Sequence, residues 1–394
     1  MSACMGGRFL KKRVPGIVYV VDCVDTESNA FNYYCYSQSL NMNTFVPGNL
    51  IDQTFETAWR DSLTDSFGGH VKFTWFLMTI EGYRHTPQGI NAIPERFLEQ
   101  FKDRVLSHGD EVAWHYHHAD WCWDERRKAK GWKLIRTFSD SVYCEKTDRR
   151  LAFDQMASFV YLNRVYPASF RSGWNWENTD FSNWLDSLIP FDYSNNWPDI
   201  DLSVIAYRPS LKNVFRRGSL SRQVVRCVDR PDTTHLRALF ERASAGEDVI
   251  FAYYCHNYGG TNRKNNTLKT RAAAVQQILA DLSSRYGVAY RYCTASDAIS
   301  LLVGIYCPDS FGLAVATNCD ENTVTVAFDT LVFGTPIICW EPYNGSISAD
   351  FMTPDSGQHR WIYNLTHTNA MAFIVAGISR CGQSFLSEEM TPCR

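Results

Sequence analysis

The chain has 394 residues, 45% hydrophobic and 21% charged, with a formal net charge of −3. This balance excludes a disordered chain, a collagen-like repeat and a nucleic-acid-binding polycation. The length exceeds what one core usually organises, and predicts two domains or one α/β barrel with an appendage.

In chain order, the basic cluster Lys11-Lys12-Arg13 precedes an apolar run, Ile17 to Val21. That run is too short for a signal-peptide core and ends in acidic residues, so it predicts a buried first strand. A helix is predicted over Ile51 to Leu63, a strand over Val71 to Leu77, and a helix from Pro94 to Leu106 with proline in its first turn. Strands follow at Glu111 to Trp114, Ser169 to Arg171 and Val249 to Tyr254, with helices at Phe153 to Val165 and Leu268 to Tyr286. This alternation over residues 15–303 predicts an α/β layer fold or a barrel. From Gly304 the pattern changes. Strand-like runs at Thr323 to Phe328, Pro336 to Trp340 and Met371 to Val375 are separated by turn residues, so residues 304–394 predict a small all-β, sandwich-like domain. No run approaches the ~20 apolar residues of a membrane span. The 13 cysteines are odd in number and scattered singly, which predicts the free thiols of a reducing cytoplasm rather than a disulfide framework.

Chemistry concentrates at predicted strand ends. Four of the ten histidines fall between His108 and His118. On a strand over Glu111 to Tyr116, His115 and His117 share a face, because side chains repeat with period two. Such a pair grips a divalent metal from two points, and a catalytic site then needs a third ligand. The acidic end of the first strand supplies candidates in Asp22, Asp25 and Glu27. Arg171 and His256 also leave strand ends, one suited to pairing with a carboxylate, the other to donating a proton. Aromatics make up 14% of the chain. Trp121, Trp123, Trp174 and Trp176 could stack a sugar at the rim, beside the basic stretch Arg126 to Lys133, which also reads as a solvated charged loop. No G-x-S-x-G elbow occurs, and the two tail histidines, His359 and His367, stand isolated.

Taken in order, several segments resemble the successive motifs of the polysaccharide deacetylase superfamily (NodB homology, carbohydrate esterase family 4). They are Val24-Asp25-Thr26-Glu27, Phe73-Thr74-Trp75-Phe76, Gly109-Asp110-Glu111-Val112-Ala113-Trp114-His115-Tyr116-His117, Ser169-Phe170-Arg171-Ser172-Gly173, Phe191-Asp192-Tyr193-Ser194 and Cys255-His256. The resemblance covers residues 15–303. It implies a distorted (β/α) barrel of the NodB-homology type and one divalent ion, usually zinc, held by a carboxylate and two histidines. It further implies Glu27, His115 and His117 as metal ligands, Asp25 as base, Arg171 as the base's partner and His256 as acid. The sequence departs from the family in two places. The adjacent Asp-Asp is spread as Asp25-Thr26-Glu27, which leaves base and ligand interchangeable and Asp22 a competitor. Ala119 stands four after His115 where the family has its second histidine, which leaves His118 an alternate to His117. The implied activity is metal-dependent amide hydrolysis in the cytoplasm, N-deacetylating an amino sugar, sugar nucleotide or glycoconjugate precursor. The alternatives are a degenerate barrel that binds carbohydrate without turnover, and a hydrolase of a non-sugar amide such as a formamide. No nucleic-acid partner is expected, and the pattern carries no sign of oligomeric state.

Overall fold

The first strand, β1 (Ile17–Thr26), is buried along nearly its whole length, as a parallel strand covered on both faces must be. It is followed by β2 (Phe73–Thr79), β3 (Glu111–Tyr116), β4 (Ser169–Ser172), β5 (Phe191–Asn195), β6 (Gln223–Val228) and β7 (Val249–His256). Each pairs in parallel with the next, and β7 pairs with β1, so a seven-stranded barrel closes in chain order. The ring is uneven. β1 and β7 run together from Val18↔Val249 to Asp25↔His256, whereas β6 and β7 meet only at Cys227↔Ala252 and Val228↔Tyr253. An eighth strand, β8 (Ala289–Cys293), pairs with the first half of β1, below the point where β2 begins. The computed structural model describes residues 14–27, 50–79, 91–117, 119–124, 128–134, 145–175, 177, 179–195, 206–229, 231–257, 268–307, 312–329, 331–343, 345–355 and 359–392.

Helices Ala92–Ser107, Glu145–Asn163, Thr179–Leu185, Thr233–Ser244 and Leu268–Tyr286 connect the strands, and Ala295–Val303 follows β8. The spacing of Phe97, Phe101 and Val105 gives the first of them one buried stripe. The expected helix over Ile51 to Leu63 is instead two short pieces, Leu50–Gln53 and Thr57–Asp61. Between them the Thr54 hydroxyl donates back to the Ile51 carbonyl, and the buried Arg60 captures the Thr54 carbonyl at 2.6 Å, so the ladder is broken from both sides. The basic stretch read as a charged loop lies largely in an antiparallel hairpin, Ala119–Asp124 with Ala129–Leu134, in which Trp121 stands opposite Trp132 in register.

Beyond residue 312 two four-stranded antiparallel sheets pack as a sandwich. The outer one holds Leu313–Asn318, Thr323–Phe328, Thr353–Pro354 and Arg360–Asn364. The inner one holds Val332–Pro342, Ser348–Phe351, Ala370–Ser379 and Ser384–Leu386. At its centre the inner sheet buries apolar side chains on both faces. Ile337, Cys339, Ile374 and Ala376 belong to the core of the barrel, while Ile338, Phe373 and Val375 pack with Val324 and Val326 of the outer sheet. The Phe351 ring stacks on Phe153 at 4.8 Å, and Arg150 donates to the Ala349 carbonyl at 3.1 Å. Gly334 takes a positive φ of 61° where a Cβ would lie 2.1 Å from the Ser187 carbonyl oxygen, so only glycine permits this approach.

A disulfide joins Cys307 to Cys381, and Cys319 is also disulfide-bonded. These bonds correct the expectation of free thiols throughout, and remove the cysteine pattern as support for a cytoplasmic location. Cys23, Cys227, Cys255, Cys293 and Cys339 are free and buried. Among the described residues no helix is long and apolar enough to cross a membrane.

Candidate metal centre

The carboxyl ends of β1, β3, β4 and β7 meet at one end of the barrel, where side chains can converge over the core. β3 directs His115 to that end. The ladder extends one residue further, since the His117 N–H donates to the Thr79 carbonyl at 3.4 Å. The two rings stand nearly perpendicular, 4.7 Å apart. Glu27, the first residue past β1, turns its carboxylate to both. Glu27 Oε1 lies 3.2 Å from His115 Nε2 and 2.8 Å from His117 Nε2, and the two nitrogens are 3.0 Å apart. All three residues are at least 97% buried.

Second contacts hold this arrangement. His115 Nδ1 donates to the Arg171 carbonyl at 2.7 Å, which fixes the ring with Nε2 aimed at Glu27. Gly173 leaves room for the His117 ring, because a Cβ there would stand 2.4 Å from Cγ. Asn257, which sequence reading passed over, bonds both main-chain polar groups of Glu27 with its side-chain amide.

Beside the triad lies a buried ion pair. Arg171 Nε donates to both oxygens of Asp25, at 2.7 and 3.0 Å. Its other nitrogens donate to the Tyr193 carbonyl at 2.9 Å and to Asn175 Oδ1 at 2.6 Å, and the guanidinium rests 3.7 Å from the Tyr254 ring centroid. Asn175 and Tyr254 also went unnoticed in the sequence, because neither type is distinctive outside its fold. His256 stands opposite Asp25 in register, 34% exposed, with Nε2 3.9 Å from Glu27 Oε1.

The electrostatics follow from this packing. Burial works to raise the Glu27 carboxyl, but the His117 and His256 charges and the imidazole hydrogen bonds hold it well below the usual range. For His115, burial is outweighed by Asp25 and Glu27, and its pKa rises; for His117, burial wins and its pKa falls. Burial disfavours the charge on Arg171, yet the Asp25 carboxylate more than offsets it and the pKa rises. Ligand atoms ~2.0–2.2 Å from a common ion cannot be more than ~4.4 Å apart. The separations of 3.2, 2.8 and 3.0 Å meet that condition. Glu27, His115 and His117 therefore form a group able to hold a metal ion.

Other sequence candidates lie elsewhere. Asp22, an odd number of residues before Asp25, faces the other side of β1. There it accepts from the Tyr253 hydroxyl at 2.5 Å, and burial pushes its pKa up to about 7. It does not join the triad. His118 and Trp176 fall outside the described residues, as do the side chains of Trp121, Trp123 and Trp174. Three motif residues serve the scaffold. Asp110 pairs with Arg60 at the opposite end of β3, Glu111 accepts from the Ser296 N–H at 2.9 Å, and Asp192 joins Glu177 around the buried Arg222.

No protein-family model and no curated protein matches the chain. Among solved structures, a protein from Enterococcus faecalis V583 named for cellobiose-phosphate cleavage aligns over 73% of this chain and 99% of its own. Its identity is 12% and the TM-score 0.39. A glycoside hydrolase family 30 subfamily 8 xylanase from Clostridium acetobutylicum aligns over 89% and 94%, with 8% identity and a TM-score of 0.30. Likenesses this distant bear on neither substrate nor reaction.

Proposed function

We propose that the protein is a metal-dependent amide hydrolase of the polysaccharide deacetylase type, removing an N-acyl group from an amino sugar or glycoconjugate precursor. The observation that carries this reading is the meeting of Glu27 Oε1, His115 Nε2 and His117 Nε2 within 3.2 Å of one another, beside a buried carboxylate. These three side chains would hold one divalent ion, zinc by the chemistry of an N/N/O donor set. Bound there, the ion would polarise the acyl carbonyl and acidify a water molecule.

The chain's own groups would manage the protons. Asp25 is held in place by two hydrogen bonds from Arg171, as a base must be to take a proton from the attacking water. Burial of Asp25 and Arg171 shields that transfer from competing solvent. His256, half-open to solvent and next to Asp25, can give a proton to the departing nitrogen. The sugar part of the reading comes from the motif order, and the basic, Trp-bearing hairpin after β3 is suited to border such a substrate.

The test is metal content together with product release. Purified protein given zinc should hold about one ion per chain and release acetate or formate from a panel of N-acyl amino sugars. Carbohydrate binding with neither zinc nor turnover would instead identify a non-catalytic barrel. Release only from non-sugar amides would move the substrate class.

A further inference from the structure

The parallel ladder of β1 ends at Thr26, and Glu27 follows directly. Asn257, the first residue past β7, is fully buried. Its Oδ1 accepts from the Glu27 N–H at 2.9 Å, and its Nδ2 donates to the Glu27 carbonyl at 2.9 Å. Its own N–H donates to the Asp25 carbonyl at 3.2 Å. A carboxamide offers the same donor and acceptor as a peptide group. Asn257 thus adds one more rung to the sheet, one residue beyond the end of β1.

The consequence falls on the carboxylate. Rotation of the Glu27 main chain would swing Oε1 away from the imidazole nitrogens, and two opposed hydrogen bonds to one residue resist that rotation. We infer that Asn257 is a positioning residue of the metal centre. It fixes Glu27 for coordination and ties the strand end bearing His256 to the one bearing Asp25. This rests on the metal-binding reading above. Preorganising contacts to a ligand residue typically contribute 10–100-fold in metal affinity.

The test measures Zn²⁺ affinity by chelator competition in the full chain, alongside melting of the metal-free protein. Asn257→Ala removes the clamp. Asn257→Asp keeps the size and one acceptor, but sets a carboxylate oxygen against the Glu27 carbonyl. Asn163→Ala is the control. That residue is equally an interior asparagine, bonded to Asn91 Oδ1 at 2.9 Å and the Phe159 carbonyl at 2.8 Å, and none of its bonds reaches the triad. Both Asn257 variants should bind Zn²⁺ about 10–100-fold more weakly, whereas Asn163→Ala should lower the apo melting temperature at unchanged affinity. Should Asn257→Ala fail to fold, Asn257→Ser, which can meet one of the two Glu27 groups, decides with an intermediate loss. Wild-type affinity in any folded Asn257 variant overturns the inference and leaves the metal reading standing. Absence of Zn²⁺ binding in the wild type overturns both.

Discussion

Two buried arginine–carboxylate pairs occupy opposite ends of the barrel, and their surroundings differ more than their geometry. At the amino end of the strands, Asp110 is saturated. Its Oδ1 accepts from Arg60 Nη1 and the Phe73 N–H, each at 2.9 Å, and its Oδ2 from Arg60 Nη2 at 2.8 Å and Trp75 Nε1 at 2.9 Å. Arg60 in turn spends Nε and Nη1 on carbonyls and lies 4.5 Å from the Phe73 ring centroid. Charge is cancelled and its partners are backbone and aromatic rings. At the carboxyl end, Asp25 and Arg171 cancel equally well, but a second carboxylate and two imidazoles meet beside them. A buried ion pair is therefore a poor guide to function, and ligand-type side chains converging next to one are a better guide.

The largest effect should come from the carboxyl-end pair. Asp25→Asn should cost ~10²–10⁴-fold in turnover, the range of a general base, while zinc content stays near one per chain. Steady-state kinetics with metal analysis checks this. If Asp25→Asn loses zinc while Glu27→Gln keeps it and loses turnover, the two carboxylates exchange roles.

The amino-end pair should break in the opposite sense. Asp110→Asn should lower the unfolding free energy by about 3–5 kcal/mol, the usual cost of stranding a buried charge. Zinc content and turnover per folded molecule should be unchanged. Denaturant titration beside an activity assay separates the two, and a selective loss of turnover would erase the contrast between the ends.

A third pair, on the surface, sets the lower bound. Arg242 Nε donates to Glu247 Oε2 at 2.7 Å with both side chains partly exposed. The arginine's hydrogen bond holds the Glu247 carboxyl below its usual range. A depressed carboxyl stabilises the fold above its unfolded pKa of ~4.3, and that contribution is lost as pH falls through the folded value. Glu247→Gln should therefore cost no more than about 1 kcal/mol at neutral pH. Its melting curve should merge with the wild type as the pH drops below ~4. A constant difference down to pH 2 would show that packing, not charge, accounts for it.

The parts of this arrangement legible in the sequence are those with local period. His115 and His117 declare a shared face through spacing two, and the acidic residues after a buried run mark the end of β1. The Gly109 to His117 motif nevertheless spans both ends of one strand, so Asp110 looks like part of a site although it braces the scaffold. β6 is not legible, because the apolar run Val224 to Val228 is short and Arg226 interrupts it. Asn257 could not be read, since its bonds to Glu27 span 230 positions. The Cys307–Cys381 bond spans 74, and nothing near either cysteine names the other.

The two-faced inner sheet of the tail carries a consequence for how its strands are specified. Along Ile337, Ile338 and Cys339, successive side chains enter different cores. A slip of one residue would send each into the volume shaped for its neighbour, on both sides at once. An ordinary half-exposed strand risks one core when it slips and can still turn polar residues to water. The buried centre of this strand, Pro336 to Cys339, has no solvent face on which to hide an error, so its alignment is proofread twice.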